Sequence, residues 1–257
     1  MTHPDDSTRI RAVVVGASSG IGRCIATGLG QRGARVALLA RRIERLNGAA
    51  NEAGSGSIAI ACDVTEEKSC DEAINEAAEA LGGIDALVYT PAIGPLARIE
   101  SVSADTWARI FATNVTGAAL VTAAALPHLK LSRGRAVFLS SISATYTAPW
   151  PGLGAYAVSK AGLERLVEVL RTEHPEVAFT RLVVGNCVGG QGESATGFAD
   201  DWDWELAGEL HSHWSARGYV TDKFIDVEEL VNVVDSLLRS GSSTSVSSIV
   251  VTQPGFQ

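Results

Sequence analysis

Several building materials are scarce in this chain of 257 residues. Cysteine occurs four times, as Cys24, Cys62, Cys70 and Cys187, with no Cys-x-x-Cys pair, and no apolar signal segment opens the sequence. Together these features predict a reduced, cytoplasmic setting. No uninterrupted apolar stretch reaches about 18 residues, so no membrane span is expected. Basic residues number 21 against 29 acidic ones, and the net charge of −8 argues against nucleic acid or anionic membranes as partners. Of the five histidines, His211 and His213 stand two positions apart, which on a helix points them in different directions, so no metal site is expected. What the chain does have is 46% apolar residues, enough for a large core in one α/β domain or in two small ones. Met1 to Arg9 is polar and is expected to form a loose, disordered tail ahead of a domain spanning 10–257.

The best-marked stretch runs from Ile10 to Gly22. Ala12 to Val15 is apolar without polar alternation, as in a strand buried on both faces. It breaks at Gly16 into Ala17-Ser18-Ser19 and then Gly20-Ile21-Gly22, after which Ile21, Ile25, Gly28 and Leu29 fall on one helical face. A strand, a glycine turn and a helix start in succession aim unpaired N–H groups over the turn, and the missing Cβ atoms let a pyrophosphate approach. The spacing Gly-x3-Gly-x-Gly differs from the usual Gly-x-Gly-x-x-Gly fingerprint, and a tight βα connection would share it.

Strand and helix patterns then alternate with no linker. Strands are expected over Arg35–Ala40, Ile58–Cys62, Ala86–Tyr89, Ala136–Ser140, Ala178–Val184 and Ser247–Val251. Helices are expected over Ile43–Ala53, Glu66–Leu81 with Thr65 as cap, Ala104–Leu131 with Pro127 late in it, Gly154–Glu173 and Val227–Arg239. Repeated βα units with buried strands predict a Rossmann-type, doubly wound parallel sheet of about seven strands with helices on both faces and ligands at the carboxyl ends.

The end of the second strand bears on cofactor choice. An acidic residue about 20 positions after the glycine turn would grip a ribose 2′-hydroxyl and repel a 2′-phosphate. Here the sequence reads Ala40-Arg41-Arg42, and guanidiniums meet phosphate with a bidentate fork, which favours NADP(H) over NAD(H). Arg41 and Arg42 could equally open a solvated helix beside Glu44 and Arg45. Asp63, next to Val64, offers an acceptor to an adenine amine, and a helix-capping neighbour of Thr65 would look the same.

Tyr156-Ala-Val-Ser-Lys160 carries the chemistry. Positions i and i+4 share a helix face, so the ammonium stands beside the phenol, where a fixed positive charge is expected to lower the tyrosine pKa towards the working range of an acid or base. The pair opens a helix just after the fifth strand, whose end carries Ser140-Ser141, a hydroxyl source for a substrate oxygen.

These motifs, in this order, with Asn114-Val115-Thr116-Gly117, give the chain its likeness. It resembles the short-chain dehydrogenase/reductase family, in the single-domain branch of about 250 residues, from about Arg9 to about Val251. The resemblance implies hydride transfer between nicotinamide and a carbonyl or alcohol carbon of a small molecule. It implies Tyr156 as acid/base, Lys160 lowering its pKa and binding the nicotinamide ribose, Ser141 orienting the substrate oxygen, and Asn114 holding a water linked to Lys160. It places the cofactor on Gly16, Ser18, Ser19, Gly20, Ile21, Gly22, Arg41, Asp63, Val64, Tyr156 and Lys160, with Val188 meeting the carboxamide through its backbone. It also implies a homodimer or homotetramer through the helices at 104–131 and 154–173.

The chain departs from the family pattern in places. Val15 replaces the usual Thr before the first glycine, Tyr89-Thr90-Pro91-Ala92 replaces Asn-Asn-Ala-Gly, and Asn186-Cys187 replaces Pro-Gly. Strand alignment selects Ser141 as the substrate-orienting serine, whereas counting back from Tyr156 selects Ser143. Residues 189–221 match a family insertion that forms a lid, hinged at Gly189-Gly190-Gln191-Gly192. Trp202, Trp204, Leu206, Leu210 and Trp214 recur on it at near-helical spacing, suiting a bulky apolar substrate with Tyr146, Trp150 and Leu153 as facing wall, or else simply packing the segment down. A catalytically silent NADP-binding regulator of the same fold is the alternative, although such proteins usually lose the tyrosine or lysine. A sugar-nucleotide epimerase would normally need a larger C-terminal domain.

Overall fold

The computed structural model describes residues 9–54, 56–220, 223–241 and 243–255. All of the expected tail but Arg9, and residue 221 of the expected lid, lie outside the described residues. Seven parallel strands form one sheet: β1 (Arg11–Val15), β2 (Arg35–Ala40), β3 (Ile58–Ala61), β4 (Ala86–Tyr89), β5 (Arg135–Ser141), β6 (Ala178–Val184) and β7 (Ser248–Val251). Their order is β3-β2-β1-β4-β5-β6-β7. Chain direction across the sheet reverses between β1 and β4, so a crevice opens above the carboxyl ends of those strands.

The near-continuous apolar character of the strands has a direct cause. Val13 and Val15 of β1 point to one core with Leu39, Leu87, Phe138 and Phe179, while Ala12 and Val14 point to a second with Val36, Val88, Val137 and Leu182. The first core is covered by α3 (Glu67–Leu81), α5 (Gly117–Ser132) and α7 (Gly154–Glu173), and the second by α1 (Gly20–Gln31), α2 (Ile43–Ala53) and α9 (Val227–Leu238). Both faces of the central strands are therefore buried, and the polar residues Thr180 and Arg181 lie within β6, next to the edge strand.

The helix expected over 104–131 is α4 (Ala104–Phe111), a π-helical turn (Ala112–Thr116) and α5. By length and composition alone the stretch Ala104–Ser132 would suffice to cross a membrane, although it contains no uninterrupted apolar run of that length. In the fold it is a core helix, with Ala118, Val121, Ala125 and Leu129 buried against the sheet layer. Thr65 does not cap α3 as expected: Glu66 holds the N-cap position without a side-chain bond, and Thr65 instead donates its N–H and hydroxyl to Asp63 Oδ1 at 3.0 and 2.8 Å. A short helix, α6 (Ile142–Thr145), and a 3₁₀ turn at Gly192–Ser194 were not foreseen from the sequence.

A third, small core lies beyond the carboxyl ends of the strands. Leu96 and Leu153 meet Ala207, Leu210 and Trp214 of α8 (Trp204–Ala216) and Tyr219, with Trp150, Trp202 and Leu206 packed against them. Asp203 starts α8 by accepting the N–H groups of Glu205 and Leu206. Trp204 points away from this core and is 67% exposed, so only part of the tryptophan pattern is internal.

Candidate active site

The glycine turn does what its composition requires. Gly16 and Gly20 hold φ of 84° and 59°, in the left-handed region that favours glycine. A Cβ on Gly22 would collide with the Gly16 carbonyl and Thr90 Oγ1, so backbone packs on backbone here. Ser19, at the N-cap of α1, makes no side-chain capping bond, and the first turn contains no acidic residue. In contrast, α8 and α9 are closed by Asp203 and Asp226. The first N–H groups of α1 are thus left for an anion.

One departure from the family pattern turns out to be a transposition. The turn lacks a hydroxyl at Val15, yet Thr90 at the end of β4 donates its hydroxyl to the Val15 carbonyl at 2.6 Å. The tie between β1 and β4 is kept, with its hydroxyl on the other strand. Tyr89, fully buried, donates its phenol to the Thr113 carbonyl at 2.5 Å and so anchors β4 to the π-helical turn.

Arg42, rather than Arg41, reaches the glycine turn. Its Nη2 donates to Ser18 Oγ at 2.9 Å and to Ser19 Oγ at 2.7 Å, whereas Arg41 is exposed. Burial, with the neighbouring charges of Arg45 and Arg41, lowers the Arg42 pKa. Asp63 sits at the end of β3 with Oδ1 occupied by Thr65, and Val64 is buried beneath α5. Ile21 packs into the α1–α2–α9 core. Beyond β6, Gly189 crosses the turn so closely that a Cβ on it would stand 3.0 Å from Gly20 Cα, and Val188 beside it is exposed. Ends of β1, β2, β3 and β6 therefore converge on one groove, and its uncapped helix start, glycine floor and guanidinium fit a dinucleotide phosphate.

On the other side of the crevice, α7 brings Tyr156 to the end of β5. Ser141 stands by the Tyr156 phenol, and its hydroxyl lowers the tyrosine pKa. It also caps α6 by accepting the Ser143 N–H at 3.2 Å and lies 2.9 Å from Ser143 Oγ, which is buried behind it. Of the two candidate serines, Ser141 meets the phenol and Ser143 backs Ser141. Burial pushes Tyr156 up to about 12, and Ser141 only partly offsets this.

Lys160 stands beside the Tyr156 ring, as the helical spacing predicts. Its Nζ donates to the Leu139 carbonyl at 2.7 Å and lies 5.9 Å from the Tyr156 ring centroid. Burial pushes the ammonium itself down to about 7, while the Glu164 carboxylate one turn further along α7 raises it. The expected lowering of the phenol by the lysine is overturned by the burial of both groups. Asn114, fully buried in the π-helical turn, accepts the Ile93 N–H at 2.9 Å. It donates to the Ile93 carbonyl at 2.9 Å and to Ser159 Oγ at 2.8 Å, so its side chain ties the β4 loop to α7.

Several site residues carried no usable sequence signal. Glu164, 2% exposed, accepts from Ser140 Oγ at 2.7 Å, Thr145 Oγ1 at 2.6 Å and Arg181 Nη1 at 3.0 Å, bracing the wall behind Lys160. Phe198 packs edge-on to Tyr156 with ring centroids 5.1 Å apart, and Trp202 Nε1 donates to the Gly94 carbonyl at 2.9 Å. Trp150 and Leu153 join the third core, whereas Tyr146 is exposed.

A doubly wound sheet with a phosphate-fitting turn and a buried tyrosine at its crevice defines a dinucleotide-binding oxidoreductase fold. The family model described as short chain dehydrogenase matches residues 11–190, and the chain belongs to that family. It is 34% identical over 189 residues, 71% of its length, to an 11-beta-hydroxysteroid dehydrogenase-like protein of Arabidopsis thaliana. The matched stretch covers 60% of that relative and as little as 13% of a longer one. Among solved structures it matches an alcohol dehydrogenase of Thermococcus sibiricus complexed with 5-hydroxy-NADP, with TM-score 0.78 and 24% identity over 96% of this chain and 99% of that one. A 3-ketoacyl-(acyl-carrier-protein) reductase of Brucella melitensis, complexed with NADH, gives TM-score 0.77 and 22% identity over 95% of this chain and 96% of that one. Both likenesses are of fold.

Proposed function

We propose that this protein is an NADP(H)-dependent oxidoreductase of the cytoplasm that interconverts a carbonyl and an alcohol on a bulky, apolar small molecule. The observation that carries this reading is the half-buried Tyr156–Ser141 pair at the carboxyl end of β5, with Lys160 Nζ 5.9 Å from the tyrosine ring centroid. Arg42, Ser18 and Ser19 would hold a 2′-phosphate, with Arg41 contributing charge, and Gly16 to Gly22 the pyrophosphate. When bound, the nicotinamide supplies or accepts a hydride at the substrate carbon. Ser141 orients the substrate oxygen. Tyr156, held protonated by burial, donates its proton as the oxygen becomes alkoxide in the reductive direction and takes it back in the oxidative one. The phenolate left behind is met by the Ser141 hydroxyl, with Lys160 beside the ring. Residues 189–221 act as lid. A homodimer or homotetramer through α4–α5 and α7 is part of this reading.

Tyr156→Phe tests the reading. Removing the hydroxyl should cut turnover of a carbonyl panel with NADPH by about 10²- to 10⁴-fold while leaving the NADPH dissociation constant within twofold. Undiminished turnover would refute the proton-donor role. Cofactor binding without turnover in the unaltered protein would favour the silent NADP-binding alternative.

A further inference from the structure

We propose that Phe198 selects the substrate, favouring carbonyl compounds that carry an aryl group able to join its edge-to-face stack. The inference rests on the oxidoreductase reading above. A carbonyl oxygen shared by Tyr156 and Ser141 at hydrogen-bond distances of about 2.7 Å leaves its carbon substituents within a few ångström of the tyrosine ring. That surrounding is where Phe198 stands.

The ring of Phe198 meets Tyr156 at 5.1 Å and 69°, and meets Trp202 at 5.9 Å and 69°. Both are T-shaped contacts, in which a positive ring edge faces a negative ring face. The arrangement is firmly backed. Phe198 covers Gly94, where a Cβ would stand 2.7 Å from Phe198 Cε2 and 3.1 Å from Tyr156 Cδ2, so no larger residue fits beneath. Trp202 is fastened to the Gly94 carbonyl and continues into Trp214 at 6.1 Å. Trp214 in turn meets Trp150 at 6.2 Å, and Trp150 stacks on Tyr219 at 5.1 Å. A herringbone of rings thus runs from the phenol into the third core, and a planar aryl substituent can extend it. A saturated ring of equal size buries similar area but has no quadrupole to present, so the preference is worth about twofold to tenfold in affinity.

Acetophenone and cyclohexyl methyl ketone separate these effects, being matched in size and reacting group. With NADPH and the unaltered protein, acetophenone should show the higher kcat/KM by about twofold to tenfold, with the difference in KM. Phe198→Leu should bring the ratio to about one, Phe198→Tyr should retain it, and the NADPH dissociation constant should move in neither. Ligand-observed NMR gives the two ketones' dissociation constants independently of turnover. An equal affinity for both ketones, or an aryl preference that survives in Phe198→Leu, overturns the proposal. Aryl-selective binding without turnover of either ketone sustains it and counts against the oxidoreductase reading instead.

Discussion

Lys160 and Tyr156 are held one turn apart with their titrations displaced in opposite directions. The lysine, usually at 10.5, is pushed to about 7 by burial, and the tyrosine, usually at 10.0, to about 12. Between about 7 and 10 the unfolded chain keeps a proton on this lysine that the folded protein has released. Stability must therefore rise with pH over that window, by up to about 1.4 kcal/mol per pH unit from this group alone. Tyr156 contributes only above 10, and there in the opposite sense. Urea unfolding of the unaltered protein and Lys160→Met between about pH 7 and 8.5 isolates the contribution: the difference in slope should vanish in the variant, and equal slopes would mean that Lys160 stays charged when folded. At this scale the sequence was informative where a motif fixes two residues on one helix face, as with Tyr156 and Lys160. It named the residues but misjudged their electrostatics, because burial is a property of what packs around α7 and not of spacing. Arg42 and Phe198 depend on where a loop comes to rest, which no short pattern encodes.

At the level of elements, the strands were legible because the central ones bury both faces and so read as apolar runs, with boundaries shifted by a residue at β1, β3, β5 and β7. The π-helical turn at Ala112–Thr116 was not, since its sequence is consistent with a regular helix. There the inserted residue turns Asn114 inward to grip Ile93 and Ser159. The β1–β4 tie is the clearest case of a compensation invisible to residue-by-residue comparison. With Val15 alone in view a bond is lost, and with Thr90 in view it is restored from the neighbouring strand. Thr90→Val keeps the shape and deletes that bond, leaving the Val15 carbonyl with only the Thr90 N–H at 3.2 Å. It should cost about 1 kcal/mol, or roughly 2–4 °C in Tm. No loss on Thr90→Val would show the hydroxyl to be incidental.

For the molecule as a whole, the two large cores hold the sheet, while the crevice is closed by segments that cross between strand ends: Gly189 over Gly20, Arg42 over Ser18 and Ser19, and Phe198 over Gly94. A ligand that bridges the strand ends adds stability only to the folded state, so cofactor preference can be read from unfolding without any substrate. At a concentration of about 100 times its dissociation constant, NADP(H) should add about 2.7 kcal/mol, which for a chain of this size raises Tm by roughly 5–11 °C. If the guanidinium of Arg42 selects the 2′-phosphate and no carboxylate selects the hydroxyl, NAD(H) bound about 100-fold less tightly adds only about 0.4 kcal/mol at the same concentration, or less than about 2 °C. Arg42→Ala should then lower the NADP(H) shift to the NAD(H) value while leaving Tm of the protein alone nearly unchanged, because Arg42 is exposed at the edge of the fold. A shift from NAD(H) as large as that from NADP(H), or an NADP(H) shift that survives Arg42→Ala, would place cofactor selection elsewhere in the groove.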